Sequence, residues 1–194
     1  MRKGLFVVLA VVAFVGFEAN MVLAKGIAQA EAGQSREGMH VLDANDTLTD
    51  VAELYEPLVE DAGGSLLLQS QPGLKVRGDR QLLAQALANL IDNAMKYGGD
   101  RNGDPPKLYI QGTIQGKFVV LEVADKGVGI AESDRERVRD RFVRLDESRT
   151  KPGNGLGLSL VSSLMTLHGG QLLLEDNMPG LRAILRLPLC SEAI

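Results

Sequence analysis

The apolar positions of this chain change period several times, and each change predicts a different element. After Asp79, which is placed to cap a helix, Leu82, Leu83, Ala86, Leu87, Leu90, Ile91 and Ala94 recur with a helical period and make one broad apolar face. A second helical face comes from Val51, Leu54, Tyr55, Leu58 and Val59, in a segment capped by Asp46 and running to about Asp61; Pro57 is expected to kink that helix or end it. Gly157 to His168 reads as a third helix, stopped by Gly169-Gly170. Strand patterns cover Met39 to Asp43, Ser65 to Gln69, Lys107 to Ile114, Lys117 to Ala124, Gln171 to Asp176 and Leu181 to Leu187, with turns at Gly63-Gly64, Pro72-Gly73 and Gln115-Gly116. Residues 133 to 142 suggest a short charged helix, whereas Gly98 to Pro106 and Glu147 to Asn154 read as loops. Helices set between antiparallel strand pairs, rather than in strict βαβ alternation, predict an α+β fold: a two-layer α/β sandwich with a mixed, mostly antiparallel sheet and its helices on one face.

Upstream of this pattern the period disappears. Arg2 and Lys3 precede an apolar run from Leu5 to Phe17, and Met21-Val22-Leu23-Ala24 follows after Glu18 and Asn20. Three readings compete for residues 1–24: a signal peptide cleaved after Val22-x-Ala24, a membrane anchor over residues 5–24, or an unnatural chain start. Residues 25–40 are rich in Ala, Gly, Gln and Glu up to Gly38 and read as a linker or the remnant of a helix, leaving 41–190 as the globular domain.

Composition narrows the function classes. A net charge of −4, with no Trp, three Tyr and five Phe, leaves neither a basic footprint nor stacking platforms for nucleic acid. The lone Cys190 excludes an internal disulfide framework and a thiolate metal cluster.

The chemistry sits opposite the apolar face of the central helix. Asn89, Asn93 and Lys96 recur at i, i+4 and i+7, followed by Tyr97, so two amides and an ammonium share a stripe suited to a metal-bound polyphosphate. Asp125-Lys-Gly127-Val-Gly129-Ile130 places an acid at a strand end beside glycines that let backbone approach something flat; a turn with its own Asx bond is the plainer alternative. Gly153-Asn-Gly155-Leu156-Gly157 precedes a helix, where free N–H groups and the helix dipole favour phosphate. Between the two glycine segments lie Arg144 and Arg149, either surface residues or forks for phosphate oxygens.

In this order the four segments resemble the N, G1, F and G2 boxes of the ATP-binding (Bergerat) domain of sensor histidine kinases, in the superfamily shared with type II topoisomerases, Hsp90-like chaperones and mismatch-repair ATPases. The resemblance covers roughly Asp43 to Leu189. It implies ATP and Mg2+ as cofactors, with Asn93 as the metal-holding asparagine, Asn89 a second amide near it, Lys96 a phosphate contact and Tyr97 a wall against the nucleotide. By the same resemblance Asp125 reads the adenine amine, Gly127, Gly129 and Ile130 border the base, and Gly153, Gly155, Leu156 and Gly157 wrap the triphosphate. Arg144 or Arg149 would neutralise charge developing in phosphoryl transfer.

Hydrolytic members of that superfamily carry a glutamate one turn before the metal asparagine; here Asn89 stands there, and an amide is a poor general base. The resemblance therefore implies a kinase acting in a cytoplasmic, inner-membrane-associated signalling system, with a histidine-containing dimerisation or phosphotransfer domain and a downstream response regulator as partners. A phosphoacceptor helix is the missing part. His40 falls in a strand pattern and His168 at a helix end, so both are expected to be structural and the acceptor must come from elsewhere. A docking module that binds ATP without transferring it is the alternative.

Overall fold

The computed structural model describes residues 39–99, 103–140, 143 and 156–190. Strand β1 (His40–Asp43) leads into helix α1 (Ala44–Asp61), strands β2 (Ser65–Ser70) and β3 (Lys75–Gly78), and helix α2 (Arg80–Tyr97). Strands β4 (Lys107–Gln115) and β5 (Phe118–Ala124) follow, then helix α3 (Gly157–Leu167) and strands β6 (Gln171–Asp176) and β7 (Leu181–Pro188). The main sheet has the order β2-β4-β5-β7-β6, with β2 parallel to β4 and every other pair antiparallel. Strands β1 and β3 form a separate antiparallel ribbon. This is the expected α+β sandwich.

Alternation along the strands builds the interface between the layers, though Val120 and Ile184 on the other face are buried as well. Val119, Leu121 and Val123 of β5 are buried, and so are Leu108 and Ile110 of β4 and Ala183, Leu185 and Leu187 of β7. The helices close over them with Leu48, Val51, Ala52 and Val59 of α1, Leu83, Leu87 and Ile91 of α2, and Val161 and Met165 of α3. Gly112 makes one junction possible: a Cβ there would lie 2.7 Å from Leu74 Cδ1 and 3.0 Å from Leu48 Cδ2. The sheet's other face carries Leu67 and Tyr109 exposed, the Arg182–Glu175 ion pair, and Arg186 stacked 3.7 Å from the centre of the Phe118 ring.

Several local expectations are corrected. The cap of α1 is Asp43, whose Oδ1 accepts from Asn45 N at 3.0 Å, and Asp46 instead sits in the first turn, where an acid complements the helix dipole. Pro57 does not end α1; it lies in the exposed last part of the helix, and the helix continues to Asp61. Leu54 is 67% exposed, on the flank of the helix outside the buried stripe of Leu48, Val51, Ala52 and Val59. The described residues of the 133 to 142 stretch, up to Asp140, form no α-helix. They hold two 3₁₀ turns, Glu132–Asp134 and Arg137–Arg139, with ion pairs Arg137–Asp134 and Arg139–Glu136 at i,i+3, the spacing that eclipses side chains in a 3₁₀ turn. Val138 alone in these turns is buried, too little apolar surface for a longer helix. Residues 141 and 142, the loop from Glu147 to Asn154 and the leader at 1–24 lie outside the described residues. Among the described residues, no helix is long and apolar enough to cross a membrane.

Leu121 is fully buried at the centre of the sheet. Leu121→Ala is expected to cost about 2–5 kcal/mol of unfolding free energy, whereas Leu54→Ala should stay within about 0.5 kcal/mol. Urea denaturation of both variants checks this; equal losses would contradict the placing of Leu121 in the core and Leu54 at the surface.

Candidate nucleotide-binding site

Asp79 fixes where helix α2 starts by satisfying its first turn, its Oδ1 accepting from Gln81 N at 2.8 Å and Leu82 N at 3.1 Å. From that fixed start, the helical period carries Asn89 and Asn93 to one flank while Leu90, Ile91 and Ala94 are buried. Asn89 donates from Nδ2 to Gln85 O at 2.8 Å, which fixes the orientation of its amide. Both asparagines meet the start of α3. A Cβ on Gly157 would lie 3.4 Å from Asn93 Nδ2, 3.7 Å from Asn93 Oδ1 and 3.6 Å from Asn89 Oδ1. A longer side chain would therefore fill the space between the amides and the first turn of α3.

That first turn has spare donors. Its N-cap is Leu156, which offers no side-chain acceptor, and the first intrahelical bond runs from Leu160 N to Leu156 O at 2.9 Å. The N–H groups of Gly157, Leu158 and Ser159 thus have no intrahelical acceptor, at the positive end of the helix dipole.

The other end of α2 meets the acid. Tyr97 O would lie 1.9 Å from a Cβ on Gly127, and a Cβ on Gly98 would lie 2.8 Å from Asp125 Cβ, so only glycines let the β5 end pass this close. Lys96 Nζ sits 5.0 Å from the centre of the Tyr97 ring. Asp125 is 5% exposed, and its Oδ1 accepts from Gly127 N at 2.9 Å and Leu181 N at 3.2 Å. Its Oδ2 takes no hydrogen bond from the described residues. Burial pushes this carboxyl above its ordinary range, against the opposing pull of the two N–H groups and Lys126.

A second layer, which sequence reading missed, holds Asp125 from behind. Its backbone O accepts from Asn177 Nδ2 at 2.6 Å and its N donates to Leu181 O at 2.9 Å. Gly180, at φ +112°, passes so near that a Cβ would lie 2.0 Å from Asp125 O. Arg135 donates from Nε to Ile130 O at 3.0 Å and lies 3.9 Å from Asp176, tying the glycine loop to the β6–β7 turn. Asn177, Gly180 and Leu181 lie about 50 residues from Asp125 in the chain, where no local pattern reveals them.

The structure therefore brings together Asn89, Asn93, Leu156 and Gly157 at one end, and Lys96, Tyr97, Asp125, Gly127, Gly129 and Ile130 at the other, along a single helix. Arg144, Arg149, Gly153 and Gly155 lie outside the described residues.

Residues 78–191 match the family described as "Histidine kinase-, DNA gyrase B-, and HSP90-like ATPase". The chain belongs to this ATPase family. Its relatives include the sensor protein IrlS of Burkholderia pseudomallei, 34% identical over 74% of this chain and 30% of its own length. The sensor-like histidine kinase SenX3 of Mycolicibacterium smegmatis is 34% identical over 72% of this chain and 36% of its own length. The chain thus spans about a third of the length of these curated relatives. Among solved structures, the mycobacterial sensor histidine kinase MprB superposes with a TM-score of 0.65 at 26% identity, covering 77% of this chain and 97% of that one. The ATP-binding domain of PrrB from Mycobacterium tuberculosis gives 0.61 at 28% identity, covering 80% and 100%. In the ATPase family, then, the chain is of the histidine kinase catalytic-domain kind.

Asp125→Asn keeps an acceptor for Gly127 and Leu181 but removes the ionisation. A carboxyl whose native pKa is raised contributes its full stability only below its unfolded value of about 3.9 and loses it as pH rises through the native one. Asp125→Asn is accordingly expected to be more stable than the parent chain near neutrality, with the gain fading as pH falls to the ordinary carboxylate range. Denaturation curves across that range decide the matter: a gain that is independent of pH contradicts the burial argument.

Proposed function

We propose that the chain binds Mg2+-ATP between Asn89, Asn93 and Gly157 at one end and Asp125 at the other, and serves phosphoryl transfer to a histidine on another domain or chain in a two-component system. The observation that carries this reading is the approach of two carboxamides of α2 to the bare first turn of α3 at Gly157, with a buried acid beside the C-terminal end of α2 whose Oδ2 takes no hydrogen bond from the described residues. This donor set fits the nucleotide. A carboxamide oxygen suits a hard cation, N–H groups at a helix start suit phosphate, and a free carboxylate oxygen beside close-packed glycines suits an exocyclic amine.

In this reading Asn93 holds the metal, with Asn89 beside it and Lys96 on phosphate. Tyr97 and Ile130 wall the base, Gly127 and Gly129 give it room, and Asp125 accepts from its amine. Gly153, Gly155, Leu156 and Gly157 wrap the phosphates, and Arg144 or Arg149 neutralises charge as the phosphoryl group leaves. Bound ATP supplies the activated phosphoryl group; the chain's own residues bind, orient and shield it.

Transfer is favoured over hydrolysis by Asn89, whose amide is tied to Gln85 O and cannot act as a base on water. The kinase names of the relatives point the same way. The acceptor is assigned to a partner because neither histidine here suits the role: His40 lies on an exposed strand, and His168 is buried with both ring nitrogens engaged. Partners of this chemistry are a dimerisation or phosphotransfer domain bearing the histidine and a response regulator downstream, all working in the cytoplasm where ATP is available.

Calorimetry should detect Mg2+-ATP binding that weakens at least tenfold, about 1.4 kcal/mol, in Asn93→Ala. Binding indifferent to Mg2+ and to this substitution would sink the site. Radiolabelled ATP should leave the isolated chain unlabelled and should label an added acceptor-helix protein; binding to that protein without labelling would favour a docking module. For Asp125→Asn, the amide N–H group beside the base should erode the preference for ATP over a 6-oxo purine nucleotide, and an unchanged preference would remove Asp125 from base reading.

A further inference from the structure

Helices α2 and α3 pack on one another and run in opposite directions, because the start of α3 meets Asn89 and Asn93 while its end meets the start of α2. At that second contact the imidazole of His168 is 6% exposed and has two partners. Its Nδ1 lies 2.7 Å from Leu164 O and must donate to it, which leaves Nε2 as the acceptor for Asp79 N at 3.2 Å. Asp79 is the residue that caps α2. The position is built to receive the ring: a Cβ on Gly78 would stand 2.6 Å from His168 Cδ2 and 3.0 Å from Nε2.

Between this bond and the amides at the other end, both helices bury mostly apolar side chains, among them Val161, Leu164 and Met165 on α3 and Leu83, Leu87, Leu90 and Ile91 on α2. Apolar packing holds two helices together but is non-directional, so it fixes their axial offset weakly compared with a hydrogen bond of defined geometry. Asn89 lies about 15 Å along α2 from its cap, and Gly157 about 16 Å along α3 from His168, at 1.5 Å per residue. The bond at one end therefore sets how the amides and the first turn of α3 face each other at the other end.

We propose that His168 is a positioning residue for the nucleotide site, locking the register of α3 against α2 through Asp79. It touches neither nucleotide nor metal; it acts through the distance between Gly157 and the two asparagines. The proposal rests on the nucleotide-site reading for its effect on affinity, but its effect on α3 is independent of any ligand.

Two substitutions separate this role from ordinary core stability. Asn at 168 places an amide near the position of Nδ1, keeping the bond to Leu164 O and losing Asp79. Gln reaches the position of Nε2 and keeps an acceptor for Asp79 N. With both variants studied well below their melting temperatures, His168→Asn is expected to weaken Mg2+-ATP binding about three- to tenfold, the worth of one hydrogen bond, and His168→Gln to return most of it. Amide exchange in the absence of nucleotide should rise at residues 156–160, the far end of α3, in the Asn variant and not in the Gln variant. Exchange that rises only around residues 164–170, alike in both variants, would reduce His168 to a local helix stop. If the parent chain bound no nucleotide, the site reading would fail, and the exchange pattern would still decide the role of His168.

Discussion

The site depends on one packing constraint: α2 and the first turn of α3 approach so closely that a single Cβ on Gly157 would already touch the amides of Asn89 and Asn93. The apolar faces of the two helices press them onto the same sheet surface, and their polar flanks meet only because the amides at 89 and 93 and a bare backbone share that corner. Burial supplies the force, and the polar groups contribute geometry. Each Leu or Ile held in this layer is worth about 1.5–3 kcal/mol, which offsets the cost of leaving first-turn donors without intrahelical partners.

Asp125 is a second instance of the same exchange. A carboxyl at this depth resists ionisation, and two backbone N–H groups on one oxygen reduce that resistance without saturating the acid. The oxygen left without a bond from the described residues is what the proposed role of Asp125 in reading a ligand amine requires, and a simple turn acid would not need it. Its rigidity comes from β7 and the turn before it, through Asn177, Gly180 and Leu181, so a residue at the end of one strand owes its orientation to a hairpin far along the chain.

What could be read from the sequence follows from the range of each signal. The period of Leu83, Leu87, Leu90 and Ile91 and the cap at Asp79 are local, and α2 with its amide stripe was legible in full. Six strands and the sandwich were legible from alternation, but the four-residue β3, paired with β1 in the separate ribbon, was too short to show a pattern. Local signals failed where two of them competed: Asp43 and Asp46 both suit a cap, and the backbone at the end of β1 decides for Asp43. Leu54 looked like core because it is apolar and three residues from Val51, yet it sits on the flank of the helix, outside the buried stripe. The parallel pairing of β2 with β4, the supports of Asp125 and the two bonds of His168 are contacts between distant segments, and no single-sequence pattern encodes them.

The most direct measurement is an NMR titration of the isotopically labelled chain with Mg2+ and a non-hydrolysable ATP analogue. Convergence of the segments on one nucleotide predicts that the signals of Asn93, Gly127 and Gly157 shift together, with a common midpoint that depends on Mg2+. Shifts confined to one of these segments, or midpoints that differ between them, would contradict it.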